Sequence, residues 1–318
     1  MLRLDDKWVW DFWLARRDGE HHIFFLQAPR SLGDPELRHF NATIGHAVSA
    51  DLRDWHVLDD AIAPGPAGSW DDLATWTGSV IEAEGRWWCF YTGVNQAESG
   101  LVQRVGAATS SDLSTWTRHP DNPLMELDPQ RYEELDLGIW HDQAWRDPWV
   151  IQINGRYEVL TTARSADGVP DGRGVIGHAW SHDLIEWHVG DPLRVDPPGQ
   201  FGQLEVPQVV EIEGRWYLLF ASGADTHSAA WRDRGIGVAQ TGTFYAVGDH
   251  PTGPFTLADT GPLGPDDGSV TYSGRIATTD DGPMFLAWRA LDASGEFVGE
   301  IIDPMRVTVD DGKLTLQN

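Results

Sequence analysis

One unit returns five times along this chain, and it restricts the fold more than any other feature. It is a pair of apolar or alternating stretches joined by a glycine turn. The first copy is Arg17-Asp18-Gly19-Glu20 running into His21-His22-Ile23-Phe24-Phe25-Leu26. The second is Val80-Ile81-Glu82-Ala83-Glu84-Gly85-Arg86-Trp87-Trp88-Cys89-Phe90-Tyr91. Copies three and four surround Asn154-Gly155 and Glu213-Gly214, and a weaker fifth leads to Gly282. Period-two alternation marks strands, and Asp-Gly, Asn-Gly or Glu-Gly supplies the positive φ of a two-residue hairpin. Glycines 19, 85, 155, 214 and 282 lie 66, 70, 59 and 68 residues apart, so five units account for all 318 residues. No stretch has the 3.6-residue period of a long helix.

A second element follows the hairpin in three units. It is Gly-His-Ala-Val-Ser-Ala-Asp-Leu over 45–52 with Trp55, and it recurs at Asp112-Leu113 with Trp116 and at Asp183-Leu184 with Trp187. It reads as a third strand, a capped polar turn and the Trp that opens a fourth strand. Four antiparallel strands repeated five times predict an all-β, five-bladed β-propeller in a single domain over 1–318. The expected blades are approximately 8–60, 75–120, 143–192, 203–257 and 268–310. Two longer segments, 121–144 and 223–243, have the length of loops that shape a site.

In a propeller the innermost strand of each blade lines the axis. By that rule Asp11, Thr77-Gly78-Ser79, Asp147, Glu205 and Tyr272-Ser273-Gly274 occupy equivalent positions in blades one to five. Three of the five are acids in apolar surroundings: Trp8-Val9-Trp10-Asp11-Phe12-Trp13, Trp145-Arg146-Asp147-Pro148-Trp149 and Leu204-Glu205-Val206-Pro207. A buried carboxylate costs several kcal/mol unless it is satisfied or used, so three at matched positions point to one pocket. Glycoside cleavage needs two carboxyls in different protonation states. Glu205, among apolar neighbours, is the expected proton donor, and Arg146 is expected to hold Asp147 ionised.

Composition narrows the partners. Lys+Arg is 23 and Asp+Glu 49, a net charge of −26, which would repel a polyanionic backbone. No apolar run approaches the ~20 residues of a membrane span. No basic-then-apolar leader is visible, so the expected location is cytoplasmic. Cys89, the single cysteine, reads as an inert core thiol. His21-His22 and His141-Asp142 lack a ligand spacing, so no metal and no cofactor is expected, and His141 and Asp142 are expected on the pocket rim.

The ordered motifs resemble glycoside hydrolase family 32, the invertase, inulinase and levanase group, and its clan neighbours the levansucrases. Trp8-Val9-Trp10-Asp11 with His22-Ile23-Phe24-Phe25-Leu26-Gln27 resembles that family's opening boxes, and Gly45-His46-Ala47-Val48-Ser49 with Asp51-Leu52 and Trp55 its next. Trp76-Thr77-Gly78-Ser79, Arg146-Asp147-Pro148 and Glu205-Val206-Pro207 are similar to the remaining ones. The resemblance implies Asp11 as nucleophile, Asp147 as transition-state stabiliser and Glu205 as general acid/base. It implies Gln27, Trp76, Thr77, Arg146 and Tyr272 at the first sugar subsite, with Trp10 in the place of the family's Asn. It also implies retention through a covalent glycosyl-enzyme, with the Asp11 and Glu205 carboxyls about 5–5.5 Å apart, and an intermediate that permits glycosyl transfer.

The departures fall on residues that touch the sugar in the family: Phe12-Trp13 after Asp11, Ile44 in the second box, Val206 after Glu205. They predict a subsite rebuilt for a related furanoside. The family's C-terminal β-sandwich has no counterpart in the sequence given, which favours a small oligosaccharide as partner. Two other readings fit three channel acids: an inverting propeller glycosidase of the arabinanase or β-xylosidase kind, and a non-catalytic carbohydrate-binding propeller.

Overall fold

The computed structural model describes residues 1–235 and 237–317. Its strands form five sheets around one axis. Blade one holds β1 (Lys7–Arg17), β2 (Glu20–Pro29), β3 (Thr43–Ser49) and β4 (His56–Val57) in sequence order. Blade two holds β5 (Ala74–Ala83), β6 (Arg86–Val94), β7 (Arg104–Ser110) and β8 (Thr117–Arg118). Blade three holds β9 (Trp145–Ile153), β10 (Arg156–Arg164), β11 (Gly174–Ser181) and β12 (His188–Val189).

The last two blades are larger than expected. Blade four adds β13 (Val195–Asp196), parallel to its outermost strand, to β14 (Glu205–Ile212), β15 (Arg215–Ser222), β16 (Gly242–Gly248) and β17 (Phe255–Leu257). In blade five, β18 (Val270–Thr279) and β19 (Gly282–Leu291) are followed by a broken third position. There β20 (Phe297–Ile301) and β21 (Met305–Asp310) pair with different parts of β19. The outermost strand is β22 (Lys313–Gln317), beyond the expected limit at 310.

The hairpins form because their two loop residues can both take positive φ. The pairs are Asp18 and Gly19 (52° and 87°), Glu84 and Gly85 (53° and 73°), Asn154 and Gly155 (51° and 79°), and Glu213 and Gly214 (52° and 77°). The fifth turn is built differently: Thr279 pairs with Gly282, so Asp280 and Asp281 make the loop. The three Asp-Leu turns are capped alike. Asp51 Oδ1 accepts the backbone N–H of Arg53 and Asp54 at 2.9 Å each, Asp112 those of Ser114 and Thr115 at 2.8 Å, and Asp183 those of Ile185 and Glu186 at 2.9 Å. The intervening leucines 52, 113 and 184 are buried, with φ of 63°, 66° and 66°.

The core lies between blades rather than at the axis. One apolar cluster joins blades one, two and five around Trp13, Phe24 and Tyr91, and three others fill the seams from blade two to blade five. Cys89 is buried in the first of these, where burial pushes its thiol up. The ring is closed by hydrogen bonds: Leu2 N–H donates to Ile301 O at 3.0 Å and Ile301 N–H to Leu2 O at 2.9 Å. No helix among the described residues is long and apolar enough to cross a membrane.

Candidate active site

Every innermost strand breaks register at the same level. The slips fall at Trp10/Phe12, Trp76/Gly78, opposite Leu160/Thr162, at Glu205/Gln208 and at Tyr272/Arg275. A bulge inserts one unpaired residue and re-aims its side chain. Four of the residues at these bulges carry positive φ without being glycine: Asp11 (24°), Asp147 (58°), Val206 (52°) and Ser273 (48°). Non-glycine residues sit there at a cost of order 1–3 kcal/mol, which surrounding contacts must offset. Gly78 shows how close the backbones run, since a Cβ there would lie 2.1 Å from Phe90 O.

The bulges turn Asp11, Asp147 and Glu205 into one pocket of about 500 Å³, within the range of small-molecule sites. Asp11 receives three donors. Ser273 Oγ (2.6 Å) and Trp288 Nε1 (2.9 Å) donate to Oδ1, and Thr77 Oγ1 donates to Oδ2 at 2.9 Å. Asp147 Oδ2 accepts from Thr162 Oγ1 at 2.7 Å and from Val206 N–H at 3.2 Å, with Arg146 Nε 3.5 Å away. Glu205 Oε1 accepts from Arg146 Nη2 at 2.6 Å, and Oε2 accepts from the Tyr272 hydroxyl. Arg146 Nη1 donates further to Gln103 Oε1 (2.9 Å) and Asp142 Oδ2 (3.1 Å), so one guanidinium ties three acids together.

Burial decides the electrostatics. It pushes Asp11 up from the usual carboxylate range against the pull of the Ser273 and Thr77 hydroxyls. It pushes Asp147 up to about 6, desolvation outweighing the pull of Arg146, which leaves the carboxyl mostly ionised at neutral pH. Burial lowers Arg146, but Asp142, Glu205 and Asp147 reverse this and leave it raised. Burial and Glu205 together push the Tyr272 phenol up. The expected apolar sheath around Glu205 is corrected. Leu204 packs in the core between blades three and four, while the Glu205 side chain, 24% exposed, faces Arg146 and Tyr272.

Trp10, Trp76, Thr77, Arg146 and Tyr272 all line the pocket beside the acids, as do His141 and Asp142 of the long loop 121–144. Gln27 does not. Its amide is committed to Thr43 Oγ1 (3.2 Å) and Asp60 Oδ1 (2.6 Å), while its neighbour Leu26, pointing the opposite way along the strand, reaches the pocket instead. The loop 223–243 contributes no lining residue among those described. Its short helix Ala229–Asp233 turns Trp231 into the core between blades three and four.

An unforeseen wall comes from the 3-10 turn Pro35–Asn41, which brings Glu36, Arg38, His39 and Phe40 to the pocket. Its signal was present in Gly33-Asp34-Pro35-Glu36: Asp34 caps the turn by accepting Glu36 N–H at 2.9 Å, and Pro35 opens it. His39 O accepts from Trp76 Nε1 at 2.6 Å, fixing the indole in the wall. Trp288 is the other omission. It pairs with Tyr272 in the sheet and reads as a core residue in the strand Ala287-Trp288-Arg289.

The glycosyl hydrolases family 32 N-terminal domain profile matches residues 13–295, taking in Asp147 and Glu205 and beginning two residues after Asp11. The chain is 25% identical over 281 residues to a probable sucrose-6-phosphate hydrolase of Vibrio cholerae, covering 86% of this chain and 45% of that one. It is 26% identical over 176 residues to the insoluble β-fructofuranosidase isoenzyme CWINV2 of Arabidopsis thaliana, covering 53% of this chain and 26% of that one. The chain thus spans less than half the length of these curated relatives. Among solved structures, inulosucrase from Halalkalicoccus jeotgali bound to kestose superposes with a TM-score of 0.79 at 22% identity, over 99% of this chain and 90% of that one. A family profile running through four of the five bulged strands, on a matching propeller, makes this chain a member of glycosyl hydrolase family 32.

Proposed function

We propose that this pocket hydrolyses the glycosidic bond of a small fructoside with retention of configuration. Asp11 attacks the anomeric carbon while the leaving oxygen takes a proton from Glu205. Water then gives a proton back to Glu205, and its oxygen displaces Asp11 from the carbon. Asp11 Oδ2 has a single partner, Thr77, whereas Oδ1 has two. That leaves Oδ2 the freer oxygen for the new bond. Asp147, pushed up to about 6, faces the same space and is suited to hydrogen-bond ring hydroxyls as charge develops.

The observation that carries this reading is the unequal holding of the two carboxyls. Asp11 is gripped by three neutral donors on blades two and five, and Glu205 by a cation and a phenol. Two acids in different settings within one pocket are what acid–nucleophile division of labour requires. The fructoside preference is supported by what the relatives in Vibrio cholerae and Arabidopsis thaliana are called. The departures in the first subsite favour a small or modified fructoside. A cytoplasmic setting belongs to the same proposal and is tested by cell fractionation.

The test is turnover of small fructosides, arabinosides and difructose anhydrides, with the first-formed anomer followed by NMR. Retained configuration on a fructoside is the expected outcome. Inversion would assign the pocket to the arabinanase or β-xylosidase type of chemistry, and sugar binding without turnover to a lectin-like role.

A further inference from the structure

Under the pocket floor sits a cation that the chemistry above does not use. Arg275 lies three residues after Tyr272 on β18 and is 1% exposed. Its Nη1 donates to Pro207 O at 2.6 Å, two residues beyond Glu205. Its Nε donates to Phe12 O at 3.2 Å, one residue beyond Asp11. Its guanidinium carbon lies 4.8 Å from the centre of the Trp149 ring, two residues beyond Asp147. One side chain therefore touches the strand behind each acid, just below the bulge that aims it. Nη2 has no hydrogen-bond partner among the described residues.

A buried guanidinium without a paired carboxylate is costly, several kcal/mol after relaxation. Methionine or leucine would fill the same volume without that cost. What only arginine offers is a planar fork that reaches two carbonyls at once, plus a charge beneath the Asp11 and Asp147 carboxylates. The two carbonyls belong to bulged strands, whose ladders are interrupted at this level.

We propose that Arg275 is the positioning residue of this site, bridging the backbone behind Asp11 to the backbone behind Glu205 and so setting the separation of the two carboxyls. The proposal rests on the roles given to Asp11 and Glu205 above. Arg275 is not a catalytic residue, since it lines the recess on the far side of the floor and not the pocket. Burial lowers its pKa to about 10 against the opposing pull of Asp147 and Asp11, so it remains a cation at neutral pH.

The test compares wild type, Arg275→Lys and Arg275→Met on a small fructoside, with thermal unfolding measured for each. Displacing a reacting group by about 1 Å costs about 10²-fold, so kcat of Arg275→Met is expected to fall about 10²-fold with KM little changed. Its acid limb of activity moves to higher pH, because Asp11 loses an opposing cation. Arg275→Lys restores the acid limb, since the charge returns, but recovers kcat only in part, since an ammonium does not span both carbonyls. A variant that merely unfolds earlier, with wild-type kcat and acid limb per folded molecule, overturns the proposal. If Arg275→Met does not fold, Arg275→Lys decides: reduced kcat at unchanged unfolding temperature supports it, and wild-type kcat overturns it. Carboxyl titration by NMR separates this proposal from the fructosidase reading. An inactive wild type removes that reading, whereas unshifted titration of Asp11 and Asp147 in Arg275→Met removes this one.

Discussion

The aspartates at the axis and those at the blade rims are the same residue in opposite circumstances. At their bulges Asp147 is buried and Asp11 half-buried, and desolvation raises both. Asp51 and Asp112 sit in solvent-facing turns, where two backbone N–H groups apiece lower them to about 2. A carboxylate in water that meets donors becomes a turn cap. A carboxylate removed from water, held by hydroxyls and an indole, is kept reactive at a cost in stability. The molecule uses one side chain for architecture outside and, on the proposed mechanism, for chemistry inside.

The sharpest break between the two sets is substitution of the inner ones. Asp11→Asn should lower kcat by roughly 10⁴-fold, as loss of a covalent-catalysis group does, without lowering the unfolding temperature. Turnover near wild type would end the nucleophile assignment. A smaller effect is expected from the donors. Ser273→Ala and Thr77→Val each remove a hydrogen bond that favours ionised Asp11, so kcat should fall about tenfold and the acid limb move to higher pH. Because both act on one carboxylate, the double variant should lose less than the product of the two, read from a double-mutant cycle.

Stability against pH separates the sets by sign. Asp147 titrates near 3.8 unfolded and about 6 folded, so its own contribution to stability rises as pH falls from 6 towards 4, against the loss from His39 and His46, which burial lowers to about 3 and about 4. Asp51 and Asp112 act the other way. Their contribution is complete above 3.8 and is lost as pH falls through 2. Asp147→Asn should make acidification from pH 6 to 4 more destabilising than in wild type and leave the low-pH loss unchanged, measured as unfolding temperature across pH 2–7. The smallest change is Asp51→Ala, which removes one turn cap. About 1 kcal/mol, roughly 2 °C, should be lost near neutral pH, with turnover unaltered and the deficit shrinking as pH falls from 4 to 2. Altered turnover would mean that the rim and the axis are coupled.

The propeller was legible because its signals are local. A hairpin turn with Asp-Gly or Asn-Gly declares itself within four residues, and five declarations at similar spacing leave few alternatives. The three acids were legible because charge is conspicuous inside apolar strands. Gln27 was misread because the strand alternates faces: Leu26 reaches the pocket, so its neighbour cannot. Trp288 and Arg275 were invisible for a different reason. Their meaning lies in which atoms they meet across blades, and an indole or guanidinium in an apolar strand carries no mark of its partner. The wall formed by Arg38 and His39 lies between these cases, since its cap was readable but its direction was not.

Asp11 stands near the start of the chain, yet two of its three donors, Ser273 and Trp288, come from the fifth blade. During synthesis this carboxylate therefore precedes these two donors by four blades. On the proposed mechanism the pocket is complete only once blade five docks against blade one, so its assembly waits on the closure of the ring.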